Sequence, residues 1–208
     1  GLRLAVVPTG HGMNPLGSLV ASMVLDMSGF DSVEIDPVAR RARVGAGVRW
    51  HQLVDAAAAY GLTAPFGSAR TVGVVGYCLG GGIGPLGRKL GMGASAVVAA
   101  EVVTADGRIR RVDADSDPEL LWALKGSGGG LAIVTALEID LTPVETVTGG
   151  MLVFPFPRAT EILAAWGEWT QSAPGHLTSS FRIVQPAPVE ALHLGRGPSG
   201  SRIPRGLR

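Results

Sequence analysis

The sequence has little cysteine, few aromatic side chains and little charge. Its 208 residues include one cysteine, 5% aromatic residues and 17% charged residues. The single cysteine, Cys78, excludes an intrachain disulfide and a zinc site built from cysteine alone. A formal net charge of +1 gives no overall reason to expect nucleic acid or acidic lipid as a partner. Because no stretch reaches about 18 uninterrupted apolar residues, a membrane span is not predicted either.

The amino terminus carries no recognisable targeting segment. It begins Gly1-Leu2-Arg3-Leu4, with no charged stretch leading into an apolar one as in a signal peptide. This predicts a cytoplasmic protein. Because the sequence also starts without a methionine, we expect that an N-terminal part is missing.

Glycine is the residue that the sequence has in excess. It accounts for 31 of 208 residues, about twice its usual share of ~7%. The glycines concentrate between positions 67 and 93 and again at 126–130. A residue without a β-carbon allows close backbone approach, and the N–H groups of glycine loops can bind phosphate oxygens without lysine. Two interpretations stay open on this basis: a backbone cradle for a phosphate-bearing cofactor, and a set of tight turns.

Hydrophobic patterning predicts several short strands and two helices up to position 141. Apolar or alternating runs bounded by turn residues indicate strands at Leu4–Val7, Met23–Asp26, Ser32–Asp36, Arg41–Val48, Val97–Thr104, Ile109–Val112 and Ile133–Leu141. Helical spacing and cap residues indicate helices at Trp50–Tyr60 and Pro118–Leu124, the second with a capping box that starts at Ser116. Residues 67–93 show no regular period.

A domain boundary is predicted at Thr142-Pro143. Beyond it the pattern indicates one strand-helix-strand unit, formed by Met151–Phe154, Ala159–Thr170 and Ser180–Val184.

One local motif suggests a dinucleotide site. Gly82–Gly87 matches G-x-G-x-x-G, and Glu101 follows at the distance of a ribose contact. A Rossmann site needs an apolar strand immediately before this motif and a helix after it, whereas here no such strand precedes and Pro85 interrupts. The same residues miss a P-loop because Arg88 stands in place of its lysine. A nicotinamide-dependent Rossmann enzyme is therefore only a minor alternative.

The histidines show no metal-binding pattern. His11, His51, His176 and His193 lie far apart without metal-ligand spacing, and the G-x-S-x-G nucleophile motif is absent. His11 stands alone in a predicted loop, where a histidine is more often an ordinary surface residue. These patterns identify neither a metal site nor a catalytic residue.

A set of motifs taken in order resembles one protein family. The motifs are Thr9–Gly12, Val24–Ser28, Thr71–Gly76, Leu79–Gly84, Ala100–Gly107, Leu120–Gly126 and Ile133–Thr135. From Leu4 to Val144 the chain resembles the PCMH-type FAD-binding domain of the vanillyl-alcohol oxidase superfamily, and within it the berberine-bridge-enzyme-like FAD-linked oxidases. The resemblance implies an α+β fold, in which a PCMH-type FAD-binding domain of two α+β subdomains is followed by the start of an α/β substrate domain.

The resemblance also implies FAD as the cofactor and His11 as the residue that attaches it covalently, through the 8α carbon of the flavin ring. It implies thirteen cofactor-binding residues: His11 at the covalent link; Thr9, Gly10 and Gly12 at the pyrophosphate; Thr71, Val72, Gly73 and Gly76 in a second flavin loop; Gly80, Gly81 and Gly82 after it; and Ile133 and Val134 at the strand that meets the adenine half. Bare backbone suits such places because a β-carbon would collide with a ring or a phosphate.

Some positions depart from the family pattern. Some relatives have a second covalent link through a cysteine where this sequence has Ala69, and Cys78 is not its equivalent. Thr9 stands where many relatives have glycine, and Gly129-Gly130-Leu131-Ala132 replaces their Gly-Asn-Phe-Gly. Only the single link through His11 is therefore expected.

Family members are considerably longer, so the resemblance suggests an incomplete chain. It assigns residues 1–144 to an FAD-binding domain without its N-terminal part, 145–190 to the beginning of a substrate domain, and 191–208 to a disordered or non-native tail. The implied activity is that of an FAD-dependent oxidoreductase, in which a small organic substrate transfers a hydride to flavin and dioxygen reoxidises it. A non-catalytic flavin-binding remnant is the main alternative. The substrate, the catalytic base and the oligomeric state are left open, and neither nucleic acid nor a membrane is expected as a partner.

Overall fold

The computed structural model of the chain describes residues 3–13, 18–144 and 146–184. The predicted tail at 191–208 lies outside the described residues. The chain divides into two compact units. The first runs to Met151 and includes Ser172–Ser179, and the second comprises Leu152–Gln171 and continues from Ser180.

The described residues form nine strands, five α-helices and two short 3-10 helices, the last two at Gly93–Ala96 and Phe156–Arg158. The strands are β1 (Arg3–Val7), β2 (Ser22–Asp26), β3 (Val33–Asp36), β4 (Arg41–Gly45), β5 (Leu62–Thr63), β6 (Val97–Val103), β7 (Ile109–Asp113), β8 (Ile133–Asp140) and β9 (Thr142–Pro143). The helices are α1 (Trp50–Ala58), α2 (Val74–Leu79), α3 (Gly87–Leu90), α4 (Pro118–Leu124) and α5 (Ala159–Ser172). No helix in this part of the chain has the length and apolar character that crossing a bilayer requires.

A five-stranded antiparallel sheet is the centre of the first unit. Its order is β3-β4-β8-β6-β7, while β1 and β2 form a separate parallel pair and β5 pairs with β9. A Rossmann site requires a parallel sheet and a strand directly before the glycine motif. Because this sheet is antiparallel and Gly82–Gly87 follows helix α2 instead of a strand, the minor nicotinamide-binding alternative is wrong.

Helices cover one face of this sheet and form the core with it. Trp50 and Leu53 of α1, Cys78 of α2 and Leu124 of α4 are almost completely buried. They belong to one apolar cluster with sheet residues that include Ala42, Val44, Val102, Leu137 and Ile139. Burial raises the pKa of the Cys78 thiol to about 12, so this cysteine stays a neutral packing residue. A helix layer on an antiparallel sheet is the α+β fold that the resemblance implies.

The opposite face of the sheet carries paired charges. Arg43 contacts Glu101 at 3.2 Å, and Arg111 forms an ion pair with Glu138. The Arg111 guanidinium holds the pKa of the Glu138 carboxyl below its usual range. The Glu101 carboxylate also accepts a hydrogen bond of 2.6 Å from the Thr135 hydroxyl. Glu101, the predicted ribose contact, is therefore engaged in this network.

Most predicted elements of the first unit are confirmed, with corrections at their ends. The helix at Pro118–Leu124 forms as predicted. Its N-cap, however, is Asp117, whose carboxylate accepts the Leu120 N–H at 3.0 Å, while the Ser116 hydroxyl donates to Asp113 instead. Strand β4 ends at Gly45 because the backbone then turns, with the Val48 N–H bonded to the Gly45 carbonyl. Helices α2 and α3 were not predicted, since six and four residues are too short to show a helical period.

Of the strand-helix-strand unit predicted beyond Thr142-Pro143, only the helix forms among the described residues. Residues 151–154 and 180–184 adopt no strand, whereas α5 is present. A strand exists only when its backbone groups pair with a neighbour, and the side chains of Met151, Leu152 and Val153 are each more than 80% exposed. The two strands predicted here are therefore wrong for the described residues.

Several glycines of the 67–93 region surround the Tyr77 ring. A β-carbon added at Gly67 or Gly93 would lie 2.8 or 2.7 Å from a Tyr77 ring carbon, and one at Gly82 would overlap the ring. The ring meets Trp50 edge-on, with the centroids 5.1 Å apart. This part of the glycine excess is thus explained by packing around an aromatic side chain, and not by a ligand.

The Tyr77 hydroxyl provides a way to test this packing around the ring. It is buried, has no hydrogen-bond partner among the described residues, and has a pKa raised to about 12 by burial. We expect Tyr77→Phe to leave the free energy of unfolding unchanged or to raise it by up to ~1 kcal/mol, because an unsatisfied buried hydroxyl is costly. Tyr77→Ala should lower it by about 3–5 kcal/mol through the cavity left by the ring. Urea unfolding measures both, and equal losses in the two variants would contradict the packing role.

Candidate functional site

A cavity of about 730 Å³ lies in the first unit. This volume is within the ~300–1,000 Å³ of typical small-molecule sites. Its walls come from four places in the sequence: strand β1 with the loop that follows it, the segment around the start of α2, the glycine cluster before β8, and the start of β8. The fold thus brings to one place segments that are more than a hundred residues apart in the sequence.

The structure brings together nine of the thirteen predicted cofactor residues at this cavity. They are Thr9, Gly10, His11, Gly12, Val72, Gly73, Gly76, Ile133 and Val134. Thr71, Gly80, Gly81 and Gly82 do not line it. Gly81 and Gly82 have positive φ angles of 93° and 76°, and their α-carbons face Met92 and the Tyr77 ring. The backbone conformation and the packing therefore explain why these two positions are glycine.

Three further glycines line the cavity but were not assigned to it from the sequence. Gly128, Gly129 and Gly130 have φ angles of +75°, +99° and +89°, which other residues rarely adopt. A β-carbon at any of them would meet no atom within 4 Å. Their clustering was visible as a candidate phosphate cradle, but only the tertiary structure shows which cavity they face.

The first wall is the loop after β1. The Met27 N–H donates to the Val7 carbonyl at 3.0 Å, which fixes the point where the loop leaves the strand. Gly10 turns the chain with φ +81°, and the Met13 N–H closes the turn on the Gly10 carbonyl at 3.2 Å. His11 lies at this turn with an exposed side chain. The imidazole is therefore accessible at the cavity wall.

The first loop packs directly on the start of α2. A β-carbon at Gly73 would lie 2.7 Å from Cγ2 and 2.9 Å from Oγ1 of Thr9. Gly73 has φ −72° and ψ 134°, so its backbone conformation is open to any residue and the need for glycine is purely steric. Two loops that the resemblance assigns to the cofactor therefore contact each other as well as the cavity.

The third and fourth walls are tied to the same framework. The Gly128 N–H donates to the Leu79 carbonyl at 2.7 Å, which joins the second glycine cluster to the end of α2. The Ala46 N–H donates to the Thr135 carbonyl at 2.9 Å. A register shift in the pairing of β6 with β8 places Val134 in the core cluster together with Leu137, so β8 does not alternate regularly between its two faces here.

The cavity walls are made mostly of backbone and apolar side chains, with Arg3, Thr9 and His11 as the polar exceptions among the described lining residues. Among the described residues that line it, Arg3 is the one with a full charge and none has a carboxylate. The described part of the chain also holds no group of three or more side chains suited to a metal ion. The arrangement suits a ligand with a large apolar ring and phosphates, which backbone N–H groups can bind.

Comparison with known proteins gives flavin-binding relatives. The FAD binding domain family matches residues 1–113. The chain is 38% identical over 141 residues to (R)-6-hydroxynicotine oxidase of Paenarthrobacter nicotinovorans, which covers 68% of this chain and 31% of that protein. Among solved structures, 6-hydroxy-D-nicotine oxidase from Arthrobacter nicotinovorans matches with a TM-score of 0.66 and 37% identity, over 69% of this chain and 32% of that one.

A second solved structure extends the comparison. BBE-like 1 of Physcomitrella patens matches with a TM-score of 0.62 and 30% identity, over 68% of this chain and 32% of that one. The chain thus spans about a third of the length of these relatives.

The contact between Thr9 and Gly73 predicts a compensating pair of substitutions. Gly73→Ala should lower the free energy of unfolding by about 1–3 kcal/mol, because the new methyl group collides with Thr9. Thr9→Ala removes the two colliding atoms, so the double variant should recover most of the loss. Gly76→Ala is the control, since its β-carbon would find its nearest neighbour, Pro8 Cγ, at 4.0 Å. Additive losses in a double-mutant cycle by urea unfolding would contradict the contact.

Proposed function

The chain belongs to the FAD binding domain family, and from this premise we propose that it forms the FAD-holding part of an FAD-linked oxidoreductase. The observation that carries the proposal is the 730 Å³ cavity, which nine of the predicted cofactor residues line. The relatives named as oxidases support the activity class. The comparisons do not favour the alternative of a non-catalytic remnant.

Gly76 supports the proposal of a bulky ligand in the cavity. It lies inside helix α2, where alanine would be a better helix former by about 1 kcal/mol. No packing in the described structure requires glycine here, because the nearest atom to a β-carbon, Pro8 Cγ, would lie at an ordinary contact distance of 4.0 Å. A ligand that lies against the backbone would explain the missing side chain. The open faces of Gly128–Gly130 fit the same ligand.

Each wall then has a role in holding FAD. Thr9, Gly10 and Gly12 present backbone to the pyrophosphate. Val72, Gly73 and Gly76 lie against the flavin as a second loop, and Ile133 and Val134 meet the adenine half. FAD bound there would be the hydride acceptor for a small organic substrate, with dioxygen as the final electron acceptor.

His11 is the residue that we propose to hold FAD covalently. Its side chain is exposed, and the residue lines the cavity. It follows Gly10, whose positive φ begins the turn that the Met13 N–H closes on the Gly10 carbonyl. Some relatives form a second covalent link through a cysteine. This chain has Ala69 at that position, which cannot form one. A single attachment through His11 is therefore proposed.

The larger organisation follows from the same proposal. Residues 1–144 form the FAD-binding domain, and 145–190 begin a substrate domain. The substrate is small and organic, as the names of the oxidase relatives suggest. A cytoplasmic location stays a prediction from the sequence.

Gly76 provides the first test of FAD binding. Gly76→Ala should weaken FAD binding about tenfold or more, because a methyl group would enter the cavity, while the apo protein keeps or gains up to ~1 kcal/mol of stability. Flavin fluorescence titration gives the Kd, and urea unfolding gives the stability. Gly167→Ala, at a helical glycine of α5 with open space around it, is the matched control and should leave the Kd unchanged. Unaltered FAD affinity in Gly76→Ala would refute this site.

His11 provides the test of covalent attachment. The purified chain, supplied with FAD and then precipitated with acid, should retain yellow colour in the washed pellet. His11→Ala should lose all acid-stable flavin, whereas His176→Ala, which changes an exposed histidine that does not line the cavity, should keep it. Acid-stable flavin in His11→Ala would assign the bond to another residue. An unsubstituted chain that takes up no FAD, and so is colourless before the acid step, would contradict FAD binding itself.

A further inference from the structure

The segment that carries Thr71, Val72 and Gly73 is held by the beginning of helix α1. Three consecutive carbonyls of this segment accept hydrogen bonds from it. The Arg70 carbonyl accepts from the His51 N–H at 3.0 Å, and the Val72 carbonyl from the Trp50 N–H at 3.0 Å. The Thr71 carbonyl between them accepts from Nη1 of Arg49 at 2.7 Å.

Two of these three bonds are a general property of helix ends. The first N–H groups of any helix have no partner within the helix, and a nearby carbonyl satisfies them. The His51 ring adds a side-chain contact to one of these two bonds, with Nδ1 at 3.1 Å from the Arg70 carbonyl. The bond from Arg49 is different, because it comes only from a side chain and therefore depends on the amino acid. It is a charge-assisted bond, which is stronger than a neutral one.

Arg49 is itself held in place. Its backbone N–H donates to Oε1 of Gln52 at 2.8 Å, which fixes the N-cap of α1. Its side chain is half-buried, and no carboxylate in the described part of the chain forms an ion pair with it. The described geometry thus directs the guanidinium to the Thr71 carbonyl.

The direction in which these carbonyls point also sets the direction of the N–H groups that follow them. In a trans peptide the C=O and the following N–H point in opposite directions. Because the carbonyls of Arg70 and Val72 point to α1, the N–H groups of Thr71 and Gly73 point away from it. Gly73 lines the cavity, and an outward N–H is the polarity that an electron-rich ligand atom requires.

On the basis of the proposed function, we propose that Arg49 is a positioning residue for FAD. It holds the Thr71 carbonyl and so sets the backbone of Val72 and Gly73 against the cofactor. Arg49 does not line the cavity and acts only through this segment. Without it, the middle carbonyl of the three loses its partner and the segment gains freedom that FAD binding must remove.

Arg70 offers a matched control. Its guanidinium belongs to the same segment, but it pairs with Asp55 at 3.0 Å, and both side chains are at least 60% exposed. Exposed pairs of this kind contribute little. Arg70→Met therefore removes one guanidinium from the segment without removing a bond to one of its carbonyls.

The experiment titrates the intact 208-residue chain with FAD by flavin fluorescence, before acid-stable flavin accumulates. Arg49→Met should weaken FAD binding about tenfold or more, the loss expected for one charge-assisted hydrogen bond. Arg49→Lys should recover part of the affinity, because an ammonium can still donate to the carbonyl. Arg70→Met should stay within about twofold of the unsubstituted chain. The melting temperature of each apo protein separates weaker binding from lost folding.

The outcomes are distinct. Wild-type affinity in Arg49→Met overturns the inference, and so does an equal loss in Arg70→Met. If Arg49→Met does not fold, Arg49→Gln is judged by the same criterion; if it does not fold either, Arg49 is a folding residue and the inference is wrong. An unsubstituted chain that takes up no FAD overturns the proposed function and this inference with it, whereas FAD uptake that is insensitive to Arg49 overturns the inference alone.

Discussion

The cavity depends on a junction between the starts of helices α1 and α2. Two backbone hydrogen bonds form it, from the Trp50 N–H to the Val72 carbonyl and from the Val74 N–H to the Val48 carbonyl. Trp50 and Val74 also anchor their helices in the core. The junction therefore joins the packed interior to the segment that lines the cavity, and the loop after β1 then packs on Gly73. Displacement of this junction would move two walls at once.

The glycine excess has two different physical causes. Gly67, Gly82 and Gly93 lie against the Tyr77 ring, where a β-carbon has no room. Gly76 and the cluster at 128–130 line the cavity, where a β-carbon would meet nothing closer than Pro8 Cγ, at 4.0 Å from that of Gly76. The first group makes the fold possible, and the second leaves room for a ligand. A single compositional signal thus combines glycines that the packing requires with glycines that line the cavity.

The strands and helices that could be predicted are those with local signals. The helix at Pro118–Leu124 follows from its proline and cap residues, and the pair β6 and β7 from the turn at Asp106-Gly107. Helix α2 could not be predicted, because its glycine and its length of six residues hide a helical period. The strands expected at 151–154 and 180–184 failed for another reason: a strand depends on a partner that no local pattern contains.

The sequence by itself determined the family, because motifs in a set order survive without any knowledge of their contacts. It also predicted His11, Gly73 and Gly76 as cofactor residues, since the motifs contain them, and these three residues line the cavity. Only the tertiary structure decided that Gly128–Gly130 share the cavity and that Gly81 and Gly82 do not. It alone showed Arg49 behind the second loop, 22 residues away in sequence. Such contacts arise when separate segments pack on one core, and spacing along the chain does not encode them.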